Sequence, residues 1–111
     1  MARILRGDVV WAGLDPVLGH EQAGKRPVLV ISHDELNRYS GTVIALAITS
    51  REPSVSAPLA IEIKSVRMPK RSWVKTNQVR TLSTLRLGHR MGSLSPEELQ
   101  EVIQAFKELF E

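Results

Sequence analysis

The chain has 111 residues, with 15 Lys and Arg against 12 Asp and Glu, a formal net charge of +3. That length predicts a single domain over residues 1–111. The absence of cysteine excludes a disulfide framework, a thiol nucleophile and a zinc ribbon, and it suits a reducing, cytoplasmic setting. No apolar run approaches the ~20 residues a membrane span needs, and the opening MARILRGDVVW lacks the apolar core and cleavage site of a signal peptide.

The charge is unevenly placed. Residues 96–111 hold five Glu and one Lys, a balance of −4, so residues 1–95 hold 14 basic and seven acidic residues, a balance of +7. A basic body fits a phosphate polymer, and a merely solvated basic surface is the alternative.

In chain order, GDVVWAGL (7–14) mixes β-branched and aromatic residues and predicts a strand. DPVLGHEQAGKRP (15–27) reads as a long loop, with Pro27 holding Arg26 in extended geometry. VLVIS (28–32) is a short apolar run of the buried-strand kind. HDELNRYSG (33–41) predicts a polar connection with room for one helical turn, and TVIALAITS (42–50) another strand. REPSVSAP (51–58) is a Pro/Ser loop. LAIEIKSV (59–66) alternates as a half-buried strand does, and SWVKTNQVRTL (72–82) continues the β pattern.

SPEELQEVIQAFKELF (95–110) is the clearest element. Leu99, Val102, Ile103, Phe106, Leu109 and Phe110 recur at helical spacing. Ser95 with Glu98 forms a capping-box pattern, Pro96 suits the first helical position, and Leu94 with Leu99 predicts a hydrophobic staple. The glutamates are expected to face water. Short strands followed by one terminal helix predict a mainly β fold, a small barrel closed by a helix.

Metal chemistry finds little support: His20, His33 and His89 form no HExxH spacing, and no Gly-rich phosphate loop or GxSxG elbow is present. No cofactor is expected. Polar residues instead gather beside the strands: Asp15, His20, Glu21, Gln22, Lys25 and Arg26; then Thr49 and Ser50; then Lys75, Asn77, Gln78, Arg80 and Thr81. Metal-free RNA cleavage needs such groups. The ribose 2′-OH must lose a proton, the leaving 5′-oxygen must gain one, and the anionic transition state needs cations or donors. Arginine supplies a fixed fork of donors for phosphate oxygens. From spacing alone the plainer reading is preferred, in which Arg26 pairs with a nearby acid and Thr49 ends a strand.

RGDVVWAGLDPVLGHEQAGKRPVLVIS, AITS, SWVKTNQVRTLSTLRLG and GSLSPEELQEVIQAFKELF together resemble, in order and over nearly the whole chain, the MazF/PemK (Kid) toxin family. The resemblance implies an SH3-like antiparallel β-barrel with a C-terminal helix, shared with CcdB, and a homodimer. It implies sequence-specific, metal-independent cleavage of single-stranded RNA to a 2′,3′-cyclic phosphate and a 5′-OH. It also implies neutralisation by a cognate antitoxin with an acidic, disordered C-terminal segment.

Carried over residue by residue, the resemblance makes Arg26 and Thr49 catalytic. Arg26 would serve proton transfer and phosphate contact, and Thr49 transition-state stabilisation. His20 matches a histidine used in the Kid-like branch and is the candidate accessory acid or base. That branch also uses an Arg-x-Asp pair, which here is Lys75 and Asn77; asparagine cannot act as a carboxylate base. Ser83 stands where the family carries an acid. Asp15, Glu21, Gln22, Lys25, Ser50, Lys75, Asn77, Gln78 and Arg80 are the expected RNA contacts. Trp11 and Trp73 are candidate stacking surfaces, but for aromatics in strands the core is the preferred reading of both. Two rival functions stand beside this one: a CcdB-like gyrase poison and a catalytically idle RNA-binding barrel.

Overall fold

A computed structural model of the chain describes residues 3–14 and 25–111. Strand β1 (Asp8–Gly13), β2 (Lys25–Val30), helix α1 (Asp34–Ser40), β3 (Thr42–Thr49), β4 (Ala60–Glu62), β5 (Trp73–Ser83), β6 (Leu87–Ser93) and helix α2 (Pro96–Glu108) follow in order, with a 3₁₀ turn at Thr84–Arg86 before β6. The strands form one sheet in the order β4-β5-β3-β2-β1-β6, with every pairing antiparallel. Thus the fold is mainly β with a terminal helix, as the sequence implies. Among the described residues, β4 and β6 are open edges, so the sheet curls without closing.

Alternation along the strands builds two apolar faces. One carries Val9, Leu29, Leu46, Ile48, Ile61 and Val74, and α2 covers it with Val102 and Ala105. The other gathers Val10, Ala12, Val28, Val30, Val43, Ala45 and Leu82. Helix α2 starts as its sequence predicts: the Ser95 hydroxyl accepts the Glu98 N–H at 3.1 Å, and Pro96 opens the first turn. Leu94 belongs to the first core and Leu99 packs against it. The second half of the capping box is redirected. The Ser95 N–H donates to the Ser65 hydroxyl, and that hydroxyl donates to Glu98 Oε1. Glu98 is therefore half-buried rather than turned wholly to water, and it holds the segment before β5.

Several elements differ from their sequence expectation. β2 begins at Lys25 rather than after Pro27, so the two basic residues and the proline already belong to the sheet. α1 makes about two turns where one was expected, capped by the His33 ring, which accepts the Glu35 N–H, and closed by Gly41 at φ +71°. β4 spans three residues of the eight that alternate.

β6, LGHRMGS, was not anticipated, because two glycines and three largely exposed polar positions hide its period. Gly92 has a packing reason to be there: a Cβ would stand 3.0 Å from Val66 Cγ1. β5 carries a bulge. Leu46 opposes Val79 and the next residue, Ala47, opposes Lys75, so Thr76, Asn77 and Gln78 are extra. Thr76 is buried and pins the bulge to the preceding loop, its N–H donating to the Leu59 carbonyl and its hydroxyl to that of Pro58.

Candidate active site

The start of β2 and the end of β3 are neighbours because the two strands run antiparallel. Val28 opposes Ala47, so two residues further out, Arg26 and Thr49 come to the same level. Both line a cavity of about 250 Å³. Its apolar floor is Trp11, Pro27, Ile48, Met68 and Met91, and its polar rim adds Lys25, Ser50, Lys70 and Ser72. Lys25, Arg26 and Lys70 bring three cations to one opening, and no acidic residue is among its described lining residues. An anion entering there would meet these three positive charges, which raise its local concentration.

Thr49 is set for donation. Its Oγ1 accepts the Arg51 backbone N–H at 3.1 Å, which fixes the oxygen and leaves its proton to give. Arg26 is exposed at the cavity mouth. A forked guanidinium and a directed hydroxyl are both donors of the kind that phosphate oxygens accept.

The remaining residues singled out in the sequence divide clearly. Asp15, His20, Glu21 and Gln22 lie outside the described residues. Lys25 and Ser50 line the cavity with Arg26 and Thr49. Lys75 and Arg80 do not line it. They oppose Ala47 and Ala45, in the rows of Val28 and Val30, and so share a sheet face with those residues. Asn77 and Gln78 are exposed in the β5 bulge. Ser83 caps the 3₁₀ turn by accepting the Leu85 N–H. Trp11 lines the cavity, whereas Trp73 is buried beneath the Arg71 guanidinium, whose Cζ lies 4.9 Å from the ring centroid.

Sequence reasoning missed Met68, Lys70, Ser72 and Met91. The first three lie on the connection from β4 to β5, and Met91 on the unanticipated β6. The available signal was charge: residues 64–72, KSVRMPKRS, contain four basic residues and no acid. Three hollows among the described residues are larger: two, of about 630 and 420 Å³, share Arg3, Ile4 and Thr84, and a third, of about 390 Å³, lies between the 52–56 loop, Glu62 and Trp73. None contains a candidate catalytic residue or a polar RNA-contact residue. Among the described residues, no group of three His, Cys, Asp or Glu could hold a metal ion, and no helix is long and apolar enough to cross a membrane.

A family model for PemK-like, MazF-like toxins of type II toxin–antitoxin systems matches residues 5–110. Among solved structures, MazF from Deinococcus radiodurans is similar at 26% identity, covering 99% of this chain and 98% of that one, with a TM-score of 0.81. A MazE–MazF structure from the same organism gives 26% identity, coverage of 99% and 97%, and a TM-score of 0.84. An endoribonuclease from a mycobacterial species shares the fold at 22% identity, with coverage of 99% and 93% and a TM-score of 0.78.

Proposed function

Because this chain belongs to the PemK-like, MazF-like toxin family of type II toxin–antitoxin systems, we propose that it is a metal-independent endoribonuclease acting on single-stranded RNA. The observation that carries this reading is the meeting of Arg26 and Thr49 at one cavity whose described lining residues include three cations and no acid, from two strands whose register brings them level. The 2′-oxygen attacks the adjacent phosphorus, the bond to the 5′-oxygen breaks, and the products are a 2′,3′-cyclic phosphate and a 5′-OH. Arg26 holds the non-bridging oxygens and donates the proton that the leaving 5′-oxygen gains, to be recharged by the proton taken from the 2′-OH, and Thr49 donates a hydrogen bond to the charge that grows in the transition state. An arginine stays protonated below pH ~12, so the initial proton acceptor is assigned to an accessory base, with His20 as the candidate.

Lys25 and Ser50 extend the contact at the cavity rim. Lys75, Asn77, Gln78 and Arg80 would bind RNA beyond it, along β5. We further propose that the toxin works as a homodimer and is neutralised by a cognate antitoxin. The fold's similarity to a MazE–MazF structure supports the latter, and a body of charge +7 suits both RNA and an acidic tail.

The decisive experiment incubates the protein with a long RNA in excess EDTA and maps the new 5′-OH ends. Cleavage at a recurrent sequence is expected. Activity that vanishes in EDTA and returns with Mg²⁺ would overturn the mechanism. Binding without new ends would select the idle RNA-binding barrel, and growth arrest with intact RNA and stalled gyrase would select the CcdB-like poison.

A further inference from the structure

The segment 64–72 packs four basic residues and no acid into nine positions, and it is held at its start, middle and end. The Ile63 N–H donates to the Ser72 carbonyl at 2.9 Å, closing the loop on itself. Val66 is buried, and Met68 packs against the larger core. At its start, the Glu98 carboxylate accepts the N–H groups of Lys64 and Ser65 at 3.0 and 3.1 Å and the Ser65 hydroxyl at 2.6 Å. Near its end, the Ser72 hydroxyl donates to the Lys70 carbonyl at 2.9 Å. Arg71 is engaged by Glu62. Lys70, in contrast, has no ion-pair partner among the described residues, and it lines the cavity with Arg26 and Thr49.

We infer that Lys70 is a phosphate-binding residue of the Arg26–Thr49 site, and that Glu98 is the positioning residue that presents it. This rests on the ribonuclease reading above. A lysine is a point charge on a flexible stem, so its use as a phosphate contact depends on where its backbone is held. Here the loop that carries Lys70 is tied at its start, Lys64 and Ser65, to the N-terminal turn of α2 by one carboxylate, and at Lys70 itself by the Ser72 hydroxyl. The acidic helix and the basic body thus act on one site, with Glu98 outside the cavity and the loop it grips inside.

The sign of one substitution separates this from bulk electrostatics. Removing an acid from a protein that binds RNA raises affinity if only net charge matters. If Glu98 positions Lys70, Glu98→Ala lowers affinity although a negative charge has gone.

The test measures binding of a labelled single-stranded RNA against KCl concentration, on an Arg26→Ala background so that the RNA survives. Lys70→Ala should flatten the slope of log K against log salt by ~0.7, the single-strand value for one phosphate contact, and Lys70→Arg should restore it. Glu98→Ala should flatten the slope in the same direction, and the double variant should fall short of additivity. Glu98→Gln keeps one acceptor and should lie between. In the otherwise unmodified enzyme, Lys70→Ala should raise KM about tenfold while kcat changes less than about twofold, as for a contact made equally in ground and transition states.

An unchanged slope and KM for Lys70→Ala in a protein that cleaves RNA would overturn the Lys70 assignment. Tighter binding by Glu98→Ala, or a lower melting temperature with an unchanged slope, would overturn the positioning role. If the unmodified protein fails to cut RNA in EDTA while the slope still falls, the ribonuclease reading fails and Lys70 remains an RNA contact.

Discussion

The cavity at the strand ends and the seam between the sheet and α2 are built on opposite terms. At the cavity, Lys25, Arg26 and Ser50 are exposed and Thr49 is half-buried, so their polar heads need no buried partner. At the seam, Val9, Leu29, Leu46, Val74 and Val102 are fully buried, and each fills space that nothing else would. One strand serves both regions: on β3, Leu46 is 0% exposed and Thr49, three residues on, stands at the cavity. Polar groups placed at strand exits can change without disturbing the packing beneath them.

The largest effect tests the cavity side of this contrast. Arg26→Ala and Thr49→Ala should each lower RNA cleavage by about 100-fold or more, the scale for removing a transition-state donor. Their melting temperatures should stay within roughly 3 °C of the parent, since exposed substitutions usually shift stability by no more than ~0.5 kcal/mol. Normal cleavage by both variants would remove Arg26 and Thr49 from the chemistry. A collapse in stability would mean that the two regions are not separable.

The seam gives the converse. Leu46→Ala deletes a fully buried side chain beside Leu29 and Val74 and should cost about 2–5 kcal/mol, measured by urea unfolding. At low temperature, where the variant is still folded, cleavage per folded molecule should stay within about threefold of the parent, in keeping with additivity between distant sites. A loss of cleavage as large as that of Thr49→Ala in a fully folded sample would show that packing at Leu46 sets the aim of the strand end.

The two regions were unequally legible in the sequence. The seam was plain, because the helical period of Leu99, Val102, Ile103 and Phe106 and the Ser95 cap are local signals that tertiary packing reinforces. Arg26 and Thr49 were legible only through the motifs around them, and nothing in their spacing shows that β2–β3 register makes them level. β6 was missed because Gly88 and Gly92 break its alternation; the second admits Val66, a neighbour 26 residues away in sequence that no local pattern announces. The β5 bulge escaped for a related reason: three extra residues become visible only against β3, the strand they fail to match. The capping box was read correctly as a helix start, yet Glu98 turned to Ser65 because that loop offers three donors.

The smallest effect concerns the place where the regions join. Glu62 on β4 opposes Trp73 and accepts from Arg71 Nε and Nη2 at 2.9 and 3.1 Å, clamping the end of the 64–72 loop. This hydrogen bonding, helped by the positive charges of Arg71 and Lys64, outweighs burial and holds the Glu62 carboxyl below the usual carboxylate range. The folded value thus lies below the unfolded one, so the stabilisation is present above the unfolded pKa of ~4.3 and drains away as pH falls through the folded value. Glu62→Gln should therefore melt slightly below the parent at neutral pH, and the two curves should converge in acid. The gap should be small and shrink in high salt, because the pair is solvent-exposed. A gap that stays constant from neutral pH into acid would assign the effect to packing against Trp73 rather than to charge. A gap that vanishes in acid while cleavage at neutral pH is unchanged would show that this clamp supports the loop without setting the position of Lys70, leaving that task to Glu98.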